Sequence, residues 1–293
     1  MTRRLSNHDN KIQTTGKMRK ILALAVTASL LLCACNKEET TAENAPSASG
    51  QDAHDGSLRI AVTPTLDCLP LYLAQQEGWF DREGIQVQLL PYQAQMDQDT
   101  AIERHRVHGM TTDTERMAWL QQHGTPLEQV ATTTLSWQLI TNKAARLTLL
   151  SQLDDKMVAM TRHSATDMLA QHAIDSAGLK PERVFRIQIN DIGVRLSMLQ
   201  NGIMDAMFLP EPQATVARLD GHPVLFSSDD RQLGVLVFRS DVMADTAQRQ
   251  QVERLVKVWQ QATDSIATRG LANYRRLIAA SCHVQQEIVD SIK

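Results

Sequence analysis

Hydroxyls, carboxylates and one tryptophan recur in this sequence where apolar, strand-like runs give way to helices. The segments are residues 63–68, 92–97, 112–115, 161–166, 190–191 and 209–211. In an open α/β sheet such loops gather beyond the carboxyl ends of the strands, where helix N-termini point outward and ligands bind. The candidate binding residues are Thr65, Asp67, Cys68, Tyr92, Asp97, Thr112, Asp113, Trp137, Arg162, Ser164, Thr166, Asn190 and Glu211. Their chemistry is hydrogen bonding, ion pairing and stacking. Asp113 and Glu211 can accept from ligand amines, although Glu211 equally suits a cap or a brace. Ser164 and Thr166 offer hydroxyls at a helix start, or simply cap it. Arg162 can pair with an anion or stand solvated. Trp137 can stack on a ring or pack in a core.

Charge narrows the ligand. Arg162 is the one cation in these loops, whereas an oxyanion site would collect several charge-assisted donors. Asp67, Asp97, Asp113 and Glu211 favour a neutral or cationic, heterocyclic or amine-bearing molecule over a sulfonate. Bond-breaking chemistry finds no support: the sequence has no Gly-x-Ser-x-Gly, no His-Glu-x-x-His and no Gly-x4-Gly-Lys-Ser/Thr run. His105 and His108 lie three apart on a polar stretch without a third ligand and read as surface histidines rather than a zinc site. His163, beside Arg162, reads either as a cleft histidine or as an exposed loop histidine. No cofactor is expected. Lys+Arg is 30 against Asp+Glu 33, so there is no basic field for nucleic acid.

The N-terminal residues speak to location. Lys17-Met18-Arg19-Lys20 is a positive segment, and residues 21–32 form an apolar run too short for a permanent bilayer span. Leu32-Cys33-Ala34-Cys35 then resembles a bacterial lipobox. It implies a signal peptide over residues 1–34, with Cys35 diacylated as the mature N-terminus; Met18 is an alternative start. Residues 35–57 hold almost no large apolar side chain and read as a disordered tether, spanning roughly 25 Å as a coil. Lys37-Glu38-Glu39 resembles a surface-export signal of some Gram-negative lipoproteins. The expected place is the cell envelope, lipid-anchored to a membrane, facing the periplasm or the cell surface. Cys68 and Cys282 are left to pair or to remain free thiols.

The elements that must position the loops follow from periodicity. Strands are expected at 58–62, 85–90, 109–112, 130–134, 137–141, 157–160, 184–189, 206–209, 223–226 and 233–238. Helices are expected at 69–76, 100–107, 114–123, 165–177, 193–201, just after Pro212, and from Thr246 onward. The repeated strand–helix–strand order implies α/β layers with mainly parallel sheets.

Three ordered motifs then match a known family. Leu58-Arg59-Ile60-Ala61-Val62, Leu69-Pro70-Leu71-Tyr72-Leu73-Ala74, Glu77-Gly78-Trp79-Phe80 and Glu83-Gly84-Ile85 resemble the opening of type II solute-binding proteins. The nearest are the nitrate, sulfonate, taurine and thiamine-precursor branch. Gly202-Ile203-Met204-Asp205-Ala206 with Leu209-Pro210-Glu211-Pro212-Gln213-Ala214-Thr215 is similar to a second family segment. So is Leu153-Asp154-Asp155-Lys156-Met157-Val158-Ala159 with Ser164, although Asp155 stands where the family has glycine. The resemblance covers residues 58–293. It implies a two-lobe periplasmic-binding-protein type II fold with two sheets, flanking helices and two hinge crossovers. Lobe one is expected at 58–143 plus 234–293, and lobe two at 144–233. It further implies a monomer that closes on a small molecule and hands it to an ABC permease with its ATPase. The alternatives are an enzyme on the same fold, making a pyrimidine or dehydrating a small acid, or a surface receptor feeding an outer-membrane channel.

Overall fold

The computed structural model describes residues 56–292. The expected leader over 1–34, the lipid-bearing Cys35 and nearly all of the expected tether lie outside the described residues.

The chain first lays down β1 (Leu58–Val62), α1 (Leu69–Gln76), α2 (Trp79–Arg82), β2 (Val87–Pro91), α3 (Gln95–Glu103), β3 (Gly109–Asp113), α4 (Thr114–Gln122) and β4 (Leu127–Thr133). It then forms β5 (Gln138–Thr141), β6 (Lys156–Met160), α5 (Ala165–Ser176), β7 (Val184–Gln188), α6 (Ile192–Gln200), β8 (Ala206–Leu209), α7 (Gln213–Leu219) and β9 (Val224–Ser227). It returns through β10 (Gly234–Arg239), α8 (Ser240–Ala244), α9 (Thr246–Arg269) and α10 (Arg275–Cys282). Two five-stranded sheets result, ordered β2-β1-β3-β10-β4 and β7-β6-β8-β5-β9. In each, three parallel strands are joined by antiparallel ones, so the sheets are mixed rather than purely parallel.

Burial explains the order. Every residue of β3, β8 and β10 is buried, as expected for inner strands covered on both faces. Pro91 closes β2 at a sheet edge, where its missing N–H removes no ladder bond. Each sheet has its own apolar core: Ile60, Leu71, Phe238 and Trp259 contribute to the first, and Leu139, Val158, Leu169 and Phe208 to the second. Among the described residues no helix is long and apolar enough to cross a membrane.

The lobe boundary moves. Residues 138–141, expected in the first lobe, pair with β8 and β9 and so belong to the second sheet. The first crossover is therefore residues 134–137, not the chain after 143, and the second is 228–233. Only four residues separate β4 from β5, which is why two strands of different sheets read as neighbours. The crossovers hold each other: Ser228 N–H donates to the Trp137 carbonyl at 3.0 Å, and Trp137 N–H donates to Ser228 Oγ at 2.9 Å. Asp155 has φ +59°, the left-handed region that favours glycine, which gives the family's glycine there its physical reason.

Gly234 opens β10 where the crossovers meet. A Cβ there would overlap Thr133 Oγ1 and come within 2.5 Å of Leu135 Cβ. Gly234→Ala is therefore expected to cost about 1–3 kcal/mol through overpacking, read as a lowered denaturant midpoint at unchanged m-value.

Candidate ligand-binding site

The carboxyl ends of β1, β3, β6 and β7 converge between the sheets on a small cavity. Thr63, Thr65 and Asp67 follow β1; Thr111, Thr112 and Asp113 end β3; Thr161 and Asn190 follow β6 and β7. Gln95 and Gln98 from α3, together with Leu135, Trp137 and Ile192, complete the wall. The cavity measures ≈ 30 Å³, room for about one or two waters, so the two lobes stand shut on each other.

Contacts across the cleft are specific. Ala165 N–H, at the start of α5, donates to Asp113 Oδ1 at 2.8 Å. Arg116 on α4 donates through Nη1 to the Arg162 carbonyl at 3.1 Å. Met96 Sδ accepts from Gln188 Nε2 at 2.9 Å and from Asn190 Nδ2 at 3.0 Å. Trp119 stacks on His163 with centroids 5.4 Å apart.

Two carboxylates define the electrostatics. Asp67 is 3% exposed; Oδ2 accepts from Thr133 Oγ1 at 3.2 Å, while Oδ1 has no partner among the described residues. Asp113 is fully buried, capping α4 through Arg116 N–H at 2.8 Å and accepting Gln95 Nε2 on Oδ2 at 2.9 Å. Burial raises both pKa values above the usual carboxylate range, and hydrogen bonds from the neighbouring donors only partly oppose it. No lysine or arginine is among the lining residues. Two more buried polar atoms on the wall lack partners among the described residues, Gln98 Nε2 and Trp137 Nε1. Residues of the wall thus carry one acceptor and two donors whose desolvation is uncompensated among the described residues, at about 1–3 kcal/mol each.

The sequence-derived candidates divide here. Thr65, Asp67, Thr112, Asp113, Trp137 and Asn190 reach the cavity. Trp137 lines the cavity and also packs in the second lobe's core. Asp97 does not reach the cavity: α3 begins at Gln95 rather than near Thr100, which puts Asp97 on the exposed face of its first turn. The Arg162 side chain is exposed, and only its carbonyl serves the cleft. Tyr92 packs half-buried against the first lobe. Cys68 is buried, with Sγ 3.1 Å from Thr111 Oγ1; it and Cys282 are both free thiols, each pushed up to about 12 by burial. Ser164 caps α5, and Thr166 Oγ1 accepts the Thr161 N–H to close the 161–166 turn; the two hydroxyls lie 2.9 Å apart and both residues are buried. Glu211 is a brace, accepting from Gln138 Nε2 at 2.8 Å, Thr215 Oγ1 at 2.7 Å and Arg218 Nη2 at 2.9 Å. His108, read as a surface residue, is 8% exposed and accepts Arg59 N–H on Nδ1. Among the described residues no cluster of His, Cys, Asp or Glu could hold a metal ion.

Sequence reasoning missed Gln95, Gln98 and Arg195. Arg195 is 1% exposed and donates to the Ile189 carbonyl at 2.7 Å, the Phe208 carbonyl at 2.9 Å and Thr161 Oγ1 at 2.7 Å. It ties together the carboxyl ends of three strands of the second sheet and lies 5.7 Å from the Trp137 ring centroid. A second, larger cavity of ≈ 320 Å³ is walled by Leu66, Asp67, Leu69, Leu135, Glu211 and Leu271, so Asp67 borders both cavities.

Known folds carry the same architecture. The alkanesulfonate-binding protein SsuA from Xanthomonas axonopodis pv. citri, bound to MOPS, aligns with TM-score 0.70 at 18% identity, over 80% of this chain and 82% of that one. The periplasmic nitrate-binding protein NrtA from Synechocystis PCC 6803 aligns with TM-score 0.71 at 14% identity, over 80% and 68%. A Candida albicans protein with the generic periplasmic-binding-protein fold aligns with TM-score 0.65 at 13% identity, over 80% and 79%. At these identities the likeness is one of fold. No curated protein sequence matches the chain. The family model described as NMT1/THI5 like matches residues 65–269, and the chain belongs to that family, folded as a two-lobe α/β periplasmic-binding-protein domain.

Proposed function

We propose that this is a lipid-anchored solute-binding protein of the cell envelope, which closes its two lobes on a small molecule and delivers it to an ABC permease with its ATPase. The observation that carries the reading is the cavity at the carboxyl ends of both sheets, whose wall residues Asp67, Gln98 and Trp137 each carry a buried polar atom without a partner among the described residues. A molecule that engages them donates to Asp67 and accepts from the amide and the indole. With two buried carboxylates and no basic lining residue, that molecule is neutral or cationic, amine-bearing and flat enough to lie against Trp137. The cavity as described holds only about one or two waters, so entry requires the lobes to part about the 134–137 and 228–233 crossovers, and a ring-sized ligand holds them in a less tightly shut form that a permease would read. Cys35 would hold the assembly at the membrane, within reach of that permease.

Native mass spectrometry of protein purified from its own cells tests this. A retained small molecule and two acyl chains on Cys35 are the expected result; steady conversion of the retained molecule would mean an enzyme instead. Asp67→Asn is expected to weaken binding of the identified molecule about tenfold or more, because a charge-assisted bond becomes a neutral one. Its melting temperature should hold or rise, since the substitution removes a buried charge. Calorimetric titration beside a thermal melt checks both halves.

A further inference from the structure

Helices α4 and α5 come from different lobes, yet their N-termini meet at one point. Arg116 N–H from α4 and Ala165 N–H from α5 both donate to Asp113 Oδ1 at 2.8 Å, and Gln95 Nε2 donates to Oδ2 at 2.9 Å. Two positive helix ends and a side-chain amide, gathered in a fully buried place between the lobes, make a seat for an anion. The chain fills that seat with its own carboxylate. Asp67, Gln98 and Trp137, each with a buried polar atom that has no partner among the described residues, line the same cavity as Asp113.

We infer that Asp113 is a specificity-determining residue, an internal counter-anion that occupies the oxyanion position between the lobes and makes the site refuse free oxyanions. This rests on the solute-binding reading and deepens it. An incoming sulfate or sulfonate would compete with a covalently tethered carboxylate for the same amides. It would also meet a second carboxylate, Asp67, with no basic side chain on the wall to offset it. A neutral or cationic ligand meets neither obstacle and leaves the Asp113 link between α4 and α5 intact. The residue thus sets ligand charge and joins the lobes through one atom.

Shortening the side chain empties the seat. In Asp113→Ser the hydroxyl still caps α4, and the room left by the carboxylate faces the amides of Ala165 and Gln95. Inorganic sulfate and methanesulfonate are the probes, titrated calorimetrically into the full chain freed of bound solute. The unaltered chain should give no saturable binding. Asp113→Ser should bind at least one of the two probes about tenfold more tightly or better, and sulfate should raise its melting temperature. Asp113→Gly, also tolerated at an N-cap, is the second variant should the serine form not fold. The inference is overturned if the unaltered chain binds either probe as tightly as the variants, or if folded variants gain nothing. Failure of the solute-binding reading looks different: no molecule is retained from the cells and no lobe closure accompanies any solute, whatever the probes do in the variants.

Discussion

Arg195→Met is expected to lower the stability of the chain by about 3–5 kcal/mol, a fall in melting temperature of roughly 10 °C. The side chain is 1% exposed and sits on α6, with all three of its terminal nitrogens donating to separate acceptors on the second sheet. Methionine fills similar volume but leaves the carbonyls of Ile189 and Phe208 and the hydroxyl of Thr161 without that donor. Each unsatisfied buried acceptor costs about 1–3 kcal/mol, and partial relaxation keeps the sum below three full penalties. Burial lowers the pKa of Arg195 to about 9, with Asp191 opposing, so the guanidinium still carries its charge at neutral pH. Arg195→Lys keeps that charge but concentrates the donors at a point instead of a fork, and should recover less than half of the loss. Because Thr161 and Trp137 line the cavity, ligand affinity should fall with stability in both variants. A methionine variant that melts with the unaltered chain would remove Arg195 from the account of how the second lobe presents its loops.

The architecture was legible in the sequence because burial on both faces leaves a strong mark. The elements Leu58–Val62, Leu69–Gln76 and Ala206–Leu209 fall where apolar runs, Pro70 and the flanking turn residues place them. Where the mark is weak the pattern misleads. The segment Gln95–Glu103 has little apolar periodicity, and its buried positions include Gln98 and Asp99, so the pattern places its start five residues late. That late start leaves Gln98 outside the candidate loop and puts Asp97 in it beside Gln95. The site was legible as a set of loops, because strand ends are set by pattern. It was not legible as a set of side chains, because two residues on one loop can face opposite ways: Asp67 lines the cavity while adjacent Cys68 turns into the first core. Arg195 did leave a signal, a lone charge amid the apolar residues of Ile192–Gln200, and such a charge is either a solvated edge or a buried tie. Nothing local distinguishes the two; only the three acceptors contributed by distant strands do.

Asp99→Ala should cost about as much, 3–5 kcal/mol by the general penalty for orphaning one member of a buried ion pair, and it separates stability from closure. Asp99 on α3 and Arg116 on α4 are almost fully buried, with Nε and Nη2 of the arginine on one carboxylate oxygen. Arg116 also lies 4.2 Å from the Trp119 ring centroid and reaches the Arg162 carbonyl of the other lobe. Burial outweighs the arginine and pushes Asp99 up to about 6. A folded-state pKa above the unfolded value means that protonation favours the fold. That stabilisation is complete below pH ~4 and disappears as pH rises through ~6. Melting temperature plotted against pH should therefore decline over this window in the unaltered chain more than in Asp99→Asn, which carries no such proton. The double variant Asp99→Leu/Arg116→Met replaces the pair with apolar volume and should regain most of the lost stability. It cannot regain the bond to the Arg162 carbonyl. Lobe closure, followed by small-angle scattering with and without the retained solute, should stay impaired in a double variant that melts near the unaltered chain. Recovery of both together would mean that the ion pair serves the first lobe alone. Recovery of stability without closure would make Arg116 a cross-cleft latch whose cost in buried charge is offset inside its own lobe by Asp99.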